Sequence, residues 1–201
     1  VTPGSTRGGS SLFEVARFRA FELTLADVAL LQRFYDENPE YHRIVSGEAP
    51  GPYEAQSDFD SQLPAGWPYT KRSILGIFDE DGSMIAVADV ISDLFAAGVW
   101  HVGLFVVATR FHGQGMARAL YAGLESWMRE GGARWLRLGV VEGNARGERF
   151  WEKSGYVDVR KRGGYQIGKQ VNTLRVMAKP LDGGALSNYL EIVARDRPDS
   201  P

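Results

Sequence analysis

Residues 102 to 120, VGLFVVATRFHGQGMARAL, hold the densest set of side chains and glycines able to do chemistry. An apolar run leads into a short loop with Gly113 and Gly115, and a helical pattern follows. A helix start leaves its first main-chain N–H groups unpaired and carries the positive end of the dipole. Glycine has no Cβ, so a phosphate can approach that backbone closely. Together these features form an anion cradle suited to a pyrophosphate. Arg110, His112 and Arg118 add positive charge around it. The chain as a whole is not basic, with 23 Lys and Arg against 25 Asp and Glu and a net charge of -2, so the attraction must be local. Two glycines alone fit a tight, ligand-free connection equally well. A dinucleotide fingerprint would need Gly at Arg118 and an acidic residue after the next strand, RWLRLGVV, and has neither. No Gly-Lys-Ser/Thr follows, so the loop is not a P-loop.

Several other chemistries are absent. The chain has no Cys, which excludes thiolate nucleophiles, disulfides and Cys-ligated zinc. His42, His101 and His112 are not spaced for a helical metal pair, and no metal is expected. The run RKR at 160–162 reads as a solvated strand end, and with this net charge no nucleic-acid partner is expected. No apolar run reaches the roughly 18 residues of a membrane span, and the start does not read as a signal peptide. A cytoplasmic protein with no membrane partner is the expectation.

The elements that must position the loop follow from periodicity. Residues 1–11, VTPGSTRGGSS, read as a disordered lead or an expression remnant. The main domain is expected over 12–181, with a C-terminal helix and tail over 182–201. A strand is expected over Val15 to Leu23. Thr24 and Asp27 then start a helix that runs to about Asp36. Asn38-Pro39 breaks it, and residues 39–70 read as loops with one short helix from Tyr53 to Leu63. Ser73 to Phe78 and Met84 to Ile91 form a hairpin around Asp81-Gly82. Trp100 to Val107 reads as a strand buried on both faces. A helix from Gly115 to Gly131 carries Met116, Leu120, Leu124 and Trp127 on one face, with Glu125 and Arg129 as an i, i+4 pair. Strand Arg134 to Val141, helix Ala145 to Ser154, strands Tyr156 to Arg162 and Val171 to Met177, and helix Ala185 to Arg195 complete the order. The strand–helix–strand unit from Trp100 to Val141 requires a parallel pair, and the hairpins require antiparallel ones. The fold class is therefore α/β (α+β), a mixed, mostly antiparallel sheet with one central parallel β-α-β unit and helices on both faces.

At this point a resemblance becomes specific. Arg110 to Ala117, R-F-H-G-Q-G-M-A, resembles the Q/R-x-x-G-x-G/A signature of the GNAT superfamily of N-acetyltransferases. The usual Pro before it is absent at Ala108-Thr109, and His112 stands where Arg is usual. Asn144 to Tyr156, N-A-R-G-E-R-F-W-E-K-S-G-Y, is similar to the family's second signature, N-x-x-A-x-x-F/L-Y-x-x-x-G-F. The segments YDENPEY, GIFDEDG and LRLGVVEGN look like a bacterial subgroup with no assigned substrate. The resemblance implies that strands 104–107 and 135–141 diverge and that acetyl-CoA lies in the gap. Backbone groups of Phe105, Val106 and Val107 would pair with its pantetheine arm. N–H groups across Gly113, Gln114, Gly115, Met116, Ala117 and Arg118 would hold the pyrophosphate, with Arg110 and His112 beside them. Asn144 and Trp151, on the helix behind, would face the thiol end.

The implied activity is N-acetyl transfer from acetyl-CoA to a primary amine, on a small molecule or on a protein N-terminus or lysine, by direct attack in a ternary complex. A strand N–H near Val107 would meet the oxyanion. A protonated amine needs a base. His101, on the strand leading to the thioester, Glu142 and Asp93 are the candidates; each also reads as an ordinary paired or solvated group. In much of the family a Tyr seven residues after the Asn protonates the leaving thiolate, and here that residue is Trp151, whose indole cannot do so. Tyr156, Tyr165 or water would substitute, while Trp151 and Phe150 also suit simple core packing. Tyr35, Glu37, Glu40 and Tyr41 follow the first helix, where acidic groups would attract a cationic acceptor. The alternatives are a GNAT-like module that binds an acyl-CoA without catalysis and, more remotely, a nucleotide-binding oxidoreductase. A homodimer is the default assembly for such enzymes.

Overall fold

The computed structural model describes residues 10–200, so most of the 1–11 lead lies outside the described residues. Eight strands form one sheet in the order β1-β2-β3-β4-β5-β6-β8-β7. The strand expected over 15–23 is a hairpin. β1 (Phe13–Val15) and β2 (Phe18–Glu22) turn at Ala16, whose φ is +52°. Thr24 then accepts the chain into a 3-10 turn, its N–H donating to Asp27 Oδ2 at 2.9 Å. α1 (Val28–Glu37) buries Leu31, Phe34 and Tyr35 and ends at Asn38.

The stretch expected to hold loops and one short helix holds two, the expected one within 53–63 and an unexpected one before it. α2 (Glu40–Ser46) begins directly after Pro39, and α3 (Glu54–Asp60) follows. Pro39 both stops α1 and opens α2, since a proline is tolerated at a helix start. Seven residues give too few turns for a periodic signal, so periodicity alone does not reveal α2. β3 (Lys71–Phe78) and β4 (Met84–Ser92) pair across the turn at Gly82, φ +77°.

β5 (Val99–Val107), α4 (Met116–Glu130) and β6 (Trp135–Val141) form the parallel unit. α4 buries Leu120, Tyr121, Leu124 and Met128, the last three against Leu136 and Leu138. The other face of the sheet packs Ile74, Val87 and Val106 against α1. α5 (Ala145–Lys153) leads to the hairpin β7 (Val157–Ile167) and β8 (Gln170–Pro180), both longer than expected. The register shifts between Arg162 and Tyr165, so Gly163-Gly164 is a bulge within the strand rather than its end. α6 (Leu186–Ile192) returns to the sheet, and Asp196 beyond it is fully buried on Arg137, with 2.7 and 3.0 Å contacts.

Candidate active site

The site exists because β5 and β6 part. Their parallel pairing runs from Val99↔Trp135 to Val102↔Leu138 and then stops. The register of β4 on β5 shifts at the same place, Asp89 facing Leu104 while Val90 faces Val102, so Gly103 is the extra residue of a bulge. A bulge bends its strand, and this one carries β5 away from β6. Each strand stays paired on its outer side, β5 to β4 and β6 to β8.

The ladder alternation fixes what faces the gap. Ala108 N–H donates to Ile85 O at 2.8 Å. The main-chain groups of Val106 therefore point to β4, and those of Phe105 and Val107 point into the crevice. This corrects the expectation for Val106, which lines the crevice through its side chain. On the other edge Glu142 N–H donates to Thr173 O, which turns Gly139 and Val141 inward.

The parting strands open into a cavity of about 650 Å³. At its wide end lies the glycine loop. Gly113 and Gly115 have φ of +75° and +78°, and a Cβ at either would meet nothing within 4 Å. The left-handed backbone, not crowding, requires glycine at both. The N–H groups from Gly113 to Ala117 have no acceptor among the described residues, and Gly115 is the N-cap of α4. Arg118 lines the cavity beside them. On the opposite lip Asn144 caps α5, its Oδ1 accepting from Gly147 N–H at 3.0 Å. Arg146, in the first turn of that helix, donates to His112 Nδ1 at 2.6 Å, and His112 Nε2 lies 2.8 Å from Val107 O. Phe105, Phe150 and Trp151 form an aromatic wall, with ring centroids 4.8 to 6.1 Å apart. Five free N–H donors beside two strand edges that face no partner strand, with the Val107 and Val141 carbonyls engaged, fit a diphosphate carrying an extended, amide-bearing arm.

Of the residues expected here, Phe105, Val106, Val107, His112, Gly113, Gly115, Ala117, Arg118, Asn144, Trp151, Glu40 and Tyr41 line this cavity. Others turn elsewhere. Arg110 lies over the Phe111 ring at 4.9 Å, and Gln114 donates to Arg110 O at 2.9 Å. Met116 packs into the cluster around Leu120 and Val107. Tyr35 is buried, its hydroxyl donating to Asp58 at 2.6 Å.

The five groups considered for proton transfer also lie off the cavity wall, Tyr165 among them on β7. His101 faces Arg137, Nδ1 to Nη1 3.2 Å, and burial together with that guanidinium lowers its pKa to about 3. An imidazole so reluctant to protonate is a poor base at neutral pH. Glu142 pairs with Lys161. Asp93 accepts from Gly98 N–H at 2.7 Å and shapes the turn into β5. Tyr156 is buried with its hydroxyl on that of Tyr121 at 2.8 Å, and burial pushes its pKa up.

Glu40 is the carboxylate on the wall among the described residues. It accepts from Thr109 Oγ1 at 2.6 Å, and that hydroxyl holds its pKa down, so it stands as a fixed negative charge. Sequence reasoning missed Arg146 and Lys153, which also line the cavity. Arg146 lies two residues past the α5 cap, and that spacing on the helix's first turn is the available signal. No group of three metal-ligating side chains gathers among the described residues, and no helix there is long and apolar enough to cross a membrane.

A sheet split beside a helix that starts at a glycine can take an anion and an extended arm, and comparison with known proteins gives the family. The acetyltransferase (GNAT) family matches residues 31–156, and the chain belongs to that family. Among solved structures it is similar to an acetyltransferase from Thermus thermophilus, at 21% identity over 83% of this chain and 99% of that one, TM-score 0.65. It is also similar to the ribosomal-protein-S18-alanine N-acetyltransferase of Escherichia coli, at 17% identity over 84% and 96%, TM-score 0.59. A third is spermidine N-acetyltransferase from Vibrio cholerae in complex with CoA and spermine, at 14% over 82% and 95%, TM-score 0.61. At these identities the likeness carries the fold and not the acceptor. No curated protein sequence matches the chain.

Proposed function

We propose that the protein moves an acetyl group from acetyl-CoA, held between β5 and β6, to a primary amine that enters beside α2. The observation that carries this reading is the pair of strand edges left without a partner strand beyond Val102 and Leu138, leading to five free N–H groups at the start of α4. Those N–H groups would hold the diphosphate, and the main-chain groups of Phe105 and Gly139 together with the N–H groups of Val107 and Val141 would meet the pantetheine amides, the Val107 and Val141 carbonyls being engaged by His112 and by Asn144 N–H. The amine nitrogen attacks the thioester carbonyl, the carbon–sulfur bond breaks, and the thiolate leaves. Main-chain N–H groups on the β5 edge would meet the oxyanion.

Glu40 would draw the acceptor in as its ammonium, since its pKa is held low and it stays charged. A group so acidic is a poor base, so the ammonium proton passes to water before attack. Trp151 sits in an aromatic cluster with Phe105, Tyr121 and Tyr156 and has no acidic proton to give, so water also reprotonates the thiolate. Most of the acceleration then comes from holding amine and thioester together.

The test is a screen of small amines and peptides that follows free thiol release from acetyl-CoA. Amine-dependent release, with both substrates needed in one complex, is the expected result. Tight CoA binding with no turnover on any amine would leave a binding module instead, and a preference for NADH over acetyl-CoA would overturn the reading.

A further inference from the structure

The glycine loop and α5 belong to opposite lips of the crevice, and one polar contact joins them at the wide end. Arg146 Nη1 lies 2.6 Å from His112 Nδ1. A guanidinium only donates, so Nδ1 must accept and the ring's single proton sits on Nε2. That assignment agrees with the other contact, in which Nε2 donates to Val107 O at 2.8 Å. Both side chains line the cavity that the free N–H groups and strand edges surround. The neutral imidazole is thus locked by a cation at the place where a diphosphate would arrive.

We propose that His112 and Arg146 form a latch across the crevice that opens as the coenzyme enters, and that His112 then takes up a proton and becomes, with Arg146, the outer clamp on the phosphates. The inference rests on the acetyl-CoA reading above. An anion beside the loop draws the guanidinium away, because a charge-assisted contact to phosphate is stronger than one to a neutral ring. Nδ1 is then free and faces negative charge. A proton from solvent on Nδ1 gives an imidazolium that donates from Nδ1 to phosphate while Nε2 still donates to Val107 O. Imidazole is the side chain that makes this change between pH 5 and 8.

Charged groups reach the site of His112 from three elements. Arg146 faces it from α5, Arg118 of α4 lines the same cavity, and Arg110 of its own loop lies over the Phe111 ring. Glu40 of α2 lines the same cavity, and Arg43 of α2 lines the neighbouring depression with Glu40 and Arg146.

Calorimetric titration of CoA into the protein, repeated in buffers of different ionisation enthalpy, measures the protons taken up. The coenzyme's own phosphate monoester titrates in the same range, so the comparison with His112→Arg carries the result. Wild type should take up close to one proton more than the variant near neutral pH. Its affinity should rise by up to about tenfold per pH unit on going from pH 8 to 6, the limit for one linked proton. His112→Arg should bind CoA with a flatter profile. Equal uptake in both proteins would overturn the latch. Nitrogen-15 spectra of the wild-type imidazole give a second reading that needs no variant. An Nε2–H tautomer alone and an imidazolium with CoA are expected, and a neutral ring in the complex at pH 7 would overturn the proposal. If wild type binds no CoA at all, the acetyl-CoA reading itself fails, a result distinct from binding without proton uptake.

Discussion

Gly115 has φ +78° at the N-cap of α4, and a Cβ there would meet nothing within 4 Å. Asn and Asp are the residues that best tolerate this backbone, so Gly115→Asn and Gly115→Asp should both fold, each at a cost of about 1 kcal/mol. Their side chains have the same shape and differ by one charge. In Gly115→Asp the carboxylate enters the space assigned to the diphosphate and competes for the N–H groups of the first turn. A charge roughly 5 Å from a phosphate oxygen costs about 1–3 kcal/mol between the dielectric limits of water and a protein surface. That is roughly a fivefold to 200-fold weaker Kd for Gly115→Asp than for Gly115→Asn. Calorimetric CoA titration of the two folded variants measures the ratio directly. Raising the salt from about 0.01 M to 1 M shortens the screening length from about 30 to 3 Å, so the gap should narrow. Equal affinities within twofold, in variants that melt like wild type, would refute the assignment of the cradle.

The remaining predictions concern the scaffold. Asp196→Asn removes the anion of a pair in which Asp196 is fully buried and Arg137 nearly so. It should cost about 3–5 kcal/mol in urea unfolding, because a buried cation is left alone. Arg137→Met combined with Asp196→Leu should recover most of that loss, and a loss below about 1 kcal/mol in Asp196→Asn would contradict the reading. Burial holds the Asp58 pKa up to about 6, above the free value near 4. Between those pH values the unfolded chain has released a proton that the folded protein retains, so stability falls as pH rises through this window. The loss approaches about 3 kcal/mol above pH 6 as an upper figure. Asp58→Asn should flatten that decline in urea melts between pH 4 and 7.5, and an unchanged slope would count against it.

How much of this is legible in the sequence follows from which signals are local. The glycine loop, the helix after it and the Asn144 cap are readable because each depends on residues within one turn. The parallel β5–β6 pair follows from the crossover rule. The bulge at Gly103 is not readable, since a shift of register depends on the partner strand. The same limit hides His101: its strand and neighbours suggest a base, and only the tertiary approach of Arg137, itself paired with the C-terminal Asp196, makes it a half-buried imidazole with a lowered pKa. Tyr156 is misplaced for a similar reason, because its partner Tyr121 lies 35 residues earlier, on α4. On α4 itself, Tyr121 and Met128 share the buried face, while Met116 and Trp127 are only partly buried. Trp127 instead meets Trp100 and Phe13 edge-on or tilted at the helix end.

The most direct test is a crystal structure with CoA bound. The diphosphate oxygens should then lie within hydrogen-bond reach of the main chain from Gly113 to Ala117. The pantetheine amides should pair with Phe105 and Val107, and the sulfur should sit deep in the crevice toward Gly103. A coenzyme seated elsewhere, with β5 and β6 closed on each other beyond Val102 and Leu138, would contradict the central claim.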